Sequence, residues 1–342
     1  MRAVSYQGSG EVTVIDAPEP RIGAPDEALV RVRCSGICGS DLHIYHGAVG
    51  VEEGATIGHE YVAEVVEVGE AVSEVAPGDR VVGGFQTACG ACWLCHRGLF
   101  HKCDRSRTFG HGKLLGSLNG TQAELAVVPH ADITLRRVPD SISDELALFA
   151  GDALGTGYHA AAGIVPGQTV VVLGLGPVGL CTVQCALVAG AAQVIAIDSV
   201  ADRLALAESF GAIPVHLTVD SPRDEVKRLT GGRGAELVVE AVGSAAAVDL
   251  ALRLAAKCGT VNVLGVHAKA AEVNLGLAWI RSLDVRFGHA NVLGHIDSVL
   301  ALLAAGRLDP GPIVSHRMGL EEAAEAYAIY DRREALKIVL AP

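Results

Sequence analysis

From about residue 147 onward the chain alternates short, apolar runs with longer stretches of helical periodicity. The run 169–173, Thr-Val-Val-Val-Leu, shows no polar alternation, which predicts a strand buried on both faces. Helical spacing follows over 180–189, and a second strand over 193–197 ends at Asp198. The alternation continues with a helix over 201–210, a strand over 236–240, a helix over 245–256 and a strand over 260–264. This order predicts an α/β class with a doubly wound parallel sheet. The pattern loosens after about 285, where the tail holds two helices, 296–305 and 320–330, and a final strand over 336–340. The first 150 residues read differently, with short Val-rich strands over 28–32, 61–68 and 80–82 among glycine- and proline-containing turns, which predicts a mostly-β domain.

Composition narrows the function classes. A length of 342 residues predicts two domains, and with 50% hydrophobic and 19% charged residues a large core forms. The net charge of −12, with no basic cluster, excludes a nucleic-acid partner. From Ala153 to Ile197 there is no Asp, Glu, Lys or Arg, long enough for a membrane span. Pro166-Gly167 and the glycines at 174, 176, 179 and 190 break that stretch into pieces, so a buried strand and a core-packed helix are expected there and no membrane partner. The start, MRAVSYQGSG, lacks an apolar leader, and the nine cysteines are odd in number, so reduced thiols and a cytoplasmic location are expected.

Three motifs carry chemistry. Cys89, Cys92, Cys95 and Cys103 form a C-x2-C-x2-C-x7-C run, the spacing of four thiolates closing one structural zinc. Gly174, Gly176 and Gly179, with Pro177 and Val178 between the last two, form G-x-G-x-x-G between a strand and a helix. The first glycine makes the turn, the second admits a pyrophosphate and the third lets the helix pack on the strand. Asp198, about 20 residues on, is placed to accept hydrogen bonds from ribose hydroxyls and to repel a 2′-phosphate, which favours NAD over NADP; the plain alternative is a helix cap. Arg203 is close enough to soften that discrimination. The third motif is open: Cys38 in G-I-C-G-S-D-L-H and His59 in I-G-H-E supply two ligands for a catalytic zinc. Its third ligand is either Glu60 or a distant residue, of which Asp152, the last acid before the uncharged stretch, is the best candidate. His101, His111, His216 and His316 show no partner pattern and read as ordinary; Cys181, Cys185 and Cys258 read as core residues, and Cys34 takes no role.

These residues together resemble the zinc-dependent medium-chain dehydrogenases, the alcohol dehydrogenase superfamily, over essentially the whole length. The resemblance rests on Gly58-His59-Glu60, Gly78-Asp79-Arg80-Val81, the four-cysteine lobe and the glycine turn with its acidic partner. The stretch from the cysteine run through G-D-A-L-G-T-G-Y is most similar to the branch of glutathione-independent formaldehyde dehydrogenases and related bacterial alcohol dehydrogenases. The resemblance implies a GroES-like catalytic domain over 1–150 with a zinc lobe at 86–106, a Rossmann NAD domain over 151–286 and a return of 287–342 to the first domain. It implies Cys38, His59 and Asp152 as catalytic-zinc ligands, with Glu60 approaching the metal during ligand exchange. Ser40 and His43 fall on proton-relay positions, Asp41 on a carboxylate that orients the zinc-bound histidine, and Phe85 on the substrate pocket. Thr156 falls where relatives touch the nicotinamide, Leu264 and Val266 on further cofactor-binding positions, and Lys337 on a basic position near the pyrophosphate. Gly39 departs from relatives with Arg or His there, leaving backbone amides and Lys337 to hold the pyrophosphate.

The implied activity is hydride transfer between a small alcohol, or its aldehyde or ketone, and NAD, in a cleft between the domains, with two zinc ions per chain. Two narrower alternatives are a polyol or sugar dehydrogenase, and a formaldehyde dehydrogenase or dismutase with tightly held NAD. Aromatics at 4% suggest an aliphatic pocket. Relatives imply a homo-oligomer, a tetramer in preference to a dimer.

Overall fold

The computed structural model describes every residue except Ser117 and residues 268–271. The chain forms two compact units, Met1–Gly155 with Asn291–Pro342, and Thr156–Ala290.

The first unit is mostly β. Its N-terminal part holds β1 (Arg2–Gly8), β2 (Glu11–Asp16), β3 (Ala28–Gly36), β4 (Glu60–Val68), β5 (Arg80–Gly83), β6 (Leu125–Val128) and β7 (Leu135–Arg137). In β3, Ala28, Val30, Val32 and Cys34 are buried while Arg31 and Arg33 point out, the period-2 pattern of a strand with one covered face. Burial pushes the Cys34 thiol up to about 12. Val-rich β4 pairs antiparallel with β3, setting Gly36 opposite Glu60.

The second unit contains β8 (Thr169–Leu173), β9 (Gln193–Asp198), β10 (Ile213–His216), β11 (Ala235–Glu240), β12 (Ala255–Val263) and β13 (Asp284–Phe287). They form one parallel sheet in the order β10-β9-β8-β11-β12-β13, a doubly wound arrangement. All five residues of β8 are buried, as its unbroken apolar run requires. The uncharged stretch folds as the helix Ala153–Ala161, β8, the helix Pro177–Val188 and β9. No helix among the described residues is long and apolar enough to cross a membrane. Cys258, expected in the core, is exposed instead and has a positive φ of 60°, because β12 starts five residues before the expected 260 and carries an irregularity of register.

The chain returns to the first unit with β14 (Val314–Gly319) and β15 (Lys337–Ala341). These extend the β sheet to the order β14-β15-β3-β4-β5-β7, with β6 also paired to β3. The expected helix over 320–330 is a 3-10 turn, Leu320–Glu322, followed by the helix Ala323–Asp331. β15 places Lys337 inside, where its Nζ donates to both carboxylate oxygens of Glu60 at 2.6 and 2.5 Å and to the carbonyl of Ile37 at 3.2 Å. Both side chains are 1% exposed. Burial alone would lower the Lys337 pKa, but Glu60 outweighs it and holds the ammonium above its usual range.

This pair generates a stability prediction. Lys337→Met leaves Glu60 buried with no ammonium beside it, and removing one partner of a buried pair costs about 3–5 kcal/mol. The variant is expected to unfold at a clearly lower temperature in calorimetry, and Glu60→Leu added to it is expected to recover most of the loss.

Candidate metal centre and dinucleotide site

Three loops of the first unit converge on His59. Cys38 lies just past β3, at the entry to the helix Gly39–Tyr45, and its N–H donates to Asp41 Oδ2 at 2.9 Å. His59 and Glu60 stand at the start of β4, and Asp152 just follows the helix Asp144–Ala150. Ligand atoms of Cys38, His59, Glu60 and Asp152 all lie within 4.8 Å of one another. Asp41, His59, Glu60 and Asp152 are buried.

The two nitrogens of His59 do different work. Nδ1 faces Asp41 Oδ1 at 3.1 Å, and Nε2 faces Asp152 Oδ2 at 3.4 Å. A carboxylate on Nδ1 fixes the ring and directs Nε2 to the other donors, the usual support of a metal-binding histidine. Nitrogen and oxygen ligands about 2.1 Å from a tetrahedral zinc stand about 3.4 Å apart, so the His59–Asp152 spacing fits that ion. Burial raises the Cys38 thiol, with Asp152 adding to it. For Asp152 burial acts upward, yet the hydrogen bond and charge of His59 outweigh it and hold the carboxyl below its usual range. His59 is held well above the usual histidine range because Asp41 and Asp152 outweigh its burial. Thiol, imidazole and carboxylate are the donor types zinc takes, and here they are gathered in a buried cluster rich in acid.

Glu60 belongs to this donor set and also holds Lys337. Burial raises its carboxyl to about 7 against the lowering effect of Lys337. The three N–H donors of Lys337, expected near a pyrophosphate, go to Glu60 and Ile37 in this structure.

Ser40 Oγ lies 3.4 Å from His59 Nε2. His43, one helical turn on, is half-buried, and burial with His46 nearby lowers its pKa. Phe85 stands edge-on to His59 at 6.3 Å between centroids. His111, which the sequence offered as ordinary, stands at 5.2 Å on a T-shaped contact with the same ring. Its only sequence signal is its setting between Gly110 and Gly112.

The four lobe cysteines also cluster. Cys103 Sγ lies 3.5 Å from Cys89 Sγ and 3.9 Å from Cys92 Sγ. Sulfurs about 2.3 Å from a tetrahedral zinc stand about 3.8 Å apart, so the set fits one ion. Cys103 Sγ accepts N–H bonds from Cys89 and Arg105 at 3.2 and 3.3 Å. The N–H groups of Asp104 and Cys95 pull the Cys92 thiol down to about 6, the direction a thiolate ligand needs.

In the second unit, Gly174 has φ +86°, and a Cβ on Gly179 would collide with the Gly174 carbonyl oxygen, so both positions need glycine. Gly176 caps the helix that Pro177 and Val178 begin, with open space where a Cβ would stand. Asp198 Oδ2 accepts from Leu175 N at 2.6 Å, and Oδ1 from Ser199 N at 2.7 Å and Val200 N at 3.0 Å. It therefore ties the glycine turn to the loop after β9, and Arg203 Nη1 stands 4.0 Å from it. Leu264 and Val266 follow β12, with Val266 half exposed, and Thr156 lies in the helix Ala153–Ala161.

Comparison with known proteins agrees with this geometry. Residues 24–140 match the family described as "Alcohol dehydrogenase GroES-like domain", and residues 177–303 match "Zinc-binding dehydrogenase". The chain is 35% identical to an uncharacterized zinc-type alcohol dehydrogenase-like protein of Bacillus subtilis (strain 168), over 100% of both chains. Among solved structures, an alcohol dehydrogenase from Thermus sp. ATN1 is 44% identical with a TM-score of 0.96, covering 100% of this chain and 99% of that one. A putative zinc-binding dehydrogenase from Sinorhizobium meliloti 1021, bound to NADP, is 31% identical with a TM-score of 0.86, covering 100% and 99%. The chain therefore belongs to the zinc-dependent medium-chain dehydrogenases of the alcohol dehydrogenase family, with a GroES-like domain and a Rossmann domain.

Proposed function

We propose that this chain is an NAD-dependent zinc alcohol dehydrogenase interconverting small alcohols with their aldehydes or ketones. The observation that carries the reading is the gathering of Cys38, His59 and Asp152 donors within 4.8 Å, with His59 Nδ1 held by Asp41. Bound at this site, zinc would supply Lewis acidity toward an alcohol oxygen, and a nicotinamide would supply the hydride acceptor. Ser40 Oγ, beside His59 Nε2, receives that proton, and His43, neutral near pH 7 because its pKa is lowered, accepts it toward solvent. Glu60 stays with Lys337, leaving three ligands and one exchangeable position, as catalytic zinc uses. Phe85 walls the site beside His59. The lobe cysteines hold a second zinc that does no chemistry.

For the cofactor, Gly174 would make the turn, its own N–H being taken by the Ile197 carbonyl at 2.9 Å, Gly176 and Gly179 would let a pyrophosphate approach the helix start, and Thr156, Leu264 and Val266 would contact the nicotinamide half. Three N–H bonds leave Asp198 one acceptor site, on Oδ2, for a ribose hydroxyl, and its charge repels a 2′-phosphate, which supports NAD although one relative holds NADP. A homo-oligomer, with four chains favoured over two, is supported by the second unit. There β13 is a sheet edge, and Leu275, Trp279, Ile280 and Phe287 are more than half exposed.

Three variants test these assignments. Asp152→Ala is expected to lower NADH production from alcohols by at least about 100-fold while metal analysis falls from two zinc ions per chain to one. Cys92→Ser is expected to lose the other zinc and to melt at a lower temperature or aggregate, without a selective change in KM. Asp198→Asn is expected to shift the ratio of kcat/KM for NAD over NADP toward NADP by about tenfold. An unchanged ratio would remove Asp198 from cofactor choice. A panel of primary, secondary, polyol and formaldehyde substrates, with a check for nucleotide retained through purification, separates the alcohol reading from the polyol and formaldehyde alternatives.

A further inference from the structure

Glu240 is the last residue of β11 and lies opposite Leu173, the last residue of β8. From these two strands the sheet continues one way through β9 and β10 and the other way through β12 and β13, so the strand order switches between β8 and β11. In a doubly wound sheet a dinucleotide lies at the carboxyl ends of two such strands. Three loops meet there. A Cβ on Gly174 would stand 2.6 Å from Val242 Cγ2, and one on Gly265 would stand 2.1 Å from Gly243 N. The glycine turn, the loop 241–243 and the loop 264–267 are therefore stacked, each on the next.

Glu240 holds two of these loops. Its main-chain oxygen accepts from Leu264 N at 2.9 Å and from Gly265 N at 3.1 Å. Its Oε1 accepts from Val242 N at 2.8 Å and from Gly243 N at 2.7 Å, which uses both lone pairs of that oxygen. Oε2 is turned to His267 instead, whose Nε2 stands 3.7 Å away, just beyond a hydrogen bond. Both atoms are buried, and neither has a hydrogen-bond partner among the described residues. The Glu240 side chain is 0% exposed, and a carboxylate so buried is costly unless its charge is met. Among the described residues, His267 is the one side chain able to carry a positive charge within ion-pair range of it. Four N–H bonds fix where the two loops begin. The two unmet atoms are what remains to fix where the loop 264–267 ends.

We propose that Glu240 is a positioning residue for the nicotinamide half of the cofactor, with His267 as its partner: the Nε2–H of His267 donates to Glu240 Oε2 and pins the loop 264–267 against the loop 241–243. Leu264 is held by the Glu240 main-chain oxygen and Val266 stands next to His267, so both ends of the expected nicotinamide contact depend on one glutamate. This rests on the NAD-dependent reading and deepens it. Both residues act through the loops and not by touching the cofactor.

The test measures Kd by calorimetry on the zinc-loaded full chain for NADH and for ADP-ribose, which lacks the nicotinamide. The quotient of the two, ADP-ribose over NADH, reports the nicotinamide half alone. His267→Ala is expected to lower this quotient about tenfold, the worth of one charge-assisted hydrogen bond, with ADP-ribose binding and melting temperature unchanged. His267→Gln keeps an N–H donor and is expected to recover part of the loss. Glu240→Gln keeps an oxygen for the Val242 and Gly243 N–H groups but loses the charge that draws His267, and is expected to lower the quotient about fivefold. A purely structural role would weaken both ligands together and leave the quotient where it was. A quotient within twofold of wild type in either His267→Ala or Glu240→Gln overturns the proposal. Wild type that binds neither ligand overturns the dinucleotide reading itself, and the proposal with it.

Discussion

Buried negative charge around His59 is the constraint on which the first unit depends. Asp41, Glu60 and Asp152 are all buried in one place, together with the Cys38 thiol, and the only buried lysine or arginine among the described residues is Lys337. Carboxylates in a low-dielectric interior are tolerated only when paired or bound to a metal. Lys337 satisfies Glu60. Asp41, Asp152 and Cys38 all face one imidazole, Asp152 also bonding Glu60, and in the absence of an ion His59 is driven toward its cationic form. A divalent ion resolves this in one step, since it neutralises the thiolate and carboxylate and leaves His59 a neutral ligand with Asp41 on its far nitrogen. The cluster thus makes physical sense as a metal site and poor sense as a structural core.

The second unit solves a different problem with backbone in place of charge. Gly174 and Gly179 must touch for the helix Pro177–Val188 to sit on β8, and the contact leaves the turn with free amides at a helix start. Asp198 then braces the turn through Leu175 N while holding the loop after β9. One carboxylate both shapes the phosphate loop and presents charge next to it. The helix-cap and ribose-binding readings of Asp198 are therefore compatible: Oδ1 accepts two local N–H bonds, and Oδ2 accepts one and keeps one lone pair.

What could be read from the sequence follows how local each signal is. β8, β9, β11 and the helix after the glycine turn are legible because burial on both faces writes an unbroken apolar run into consecutive residues. The cysteine lobe is legible because its ligands are neighbours in the chain. β13 was not, since it is an edge strand with its residues largely exposed, and Asp284 and Arg286 break the apolar pattern. The helix Leu275–Arg281 is illegible for a similar reason: Leu275, Trp279 and Ile280 face outward while only Leu277 and Ala278 pack on the core. Lys337 reads, through the resemblance, as a pyrophosphate contact; its partner Glu60, 277 positions away, is visible only once β15 pairs with β3. His111 carries no motif; only the close approach of Gly110 to Gly58 reveals its place.

In the proposed reading the Lys337–Glu60 pair also decides how many ligands the ion finds. All four donors lie within the same 4.8 Å, so proximity alone would permit a closed four-ligand site. Closed sites hold zinc structurally and do no chemistry, as proposed for the lobe. Glu60 is held by two contacts to a fully buried ammonium, and moving it to the metal would leave that charge unpaired in the interior. Breaking a buried pair is costly, and the vacancy at the metal is protected to the extent of that cost. In the proposed reading β15 therefore contributes to catalysis without touching the substrate, by keeping a fourth protein ligand occupied elsewhere. The burial of Lys337 itself follows from its pairing with Glu60, whose charge offsets the cost of taking the ammonium out of water.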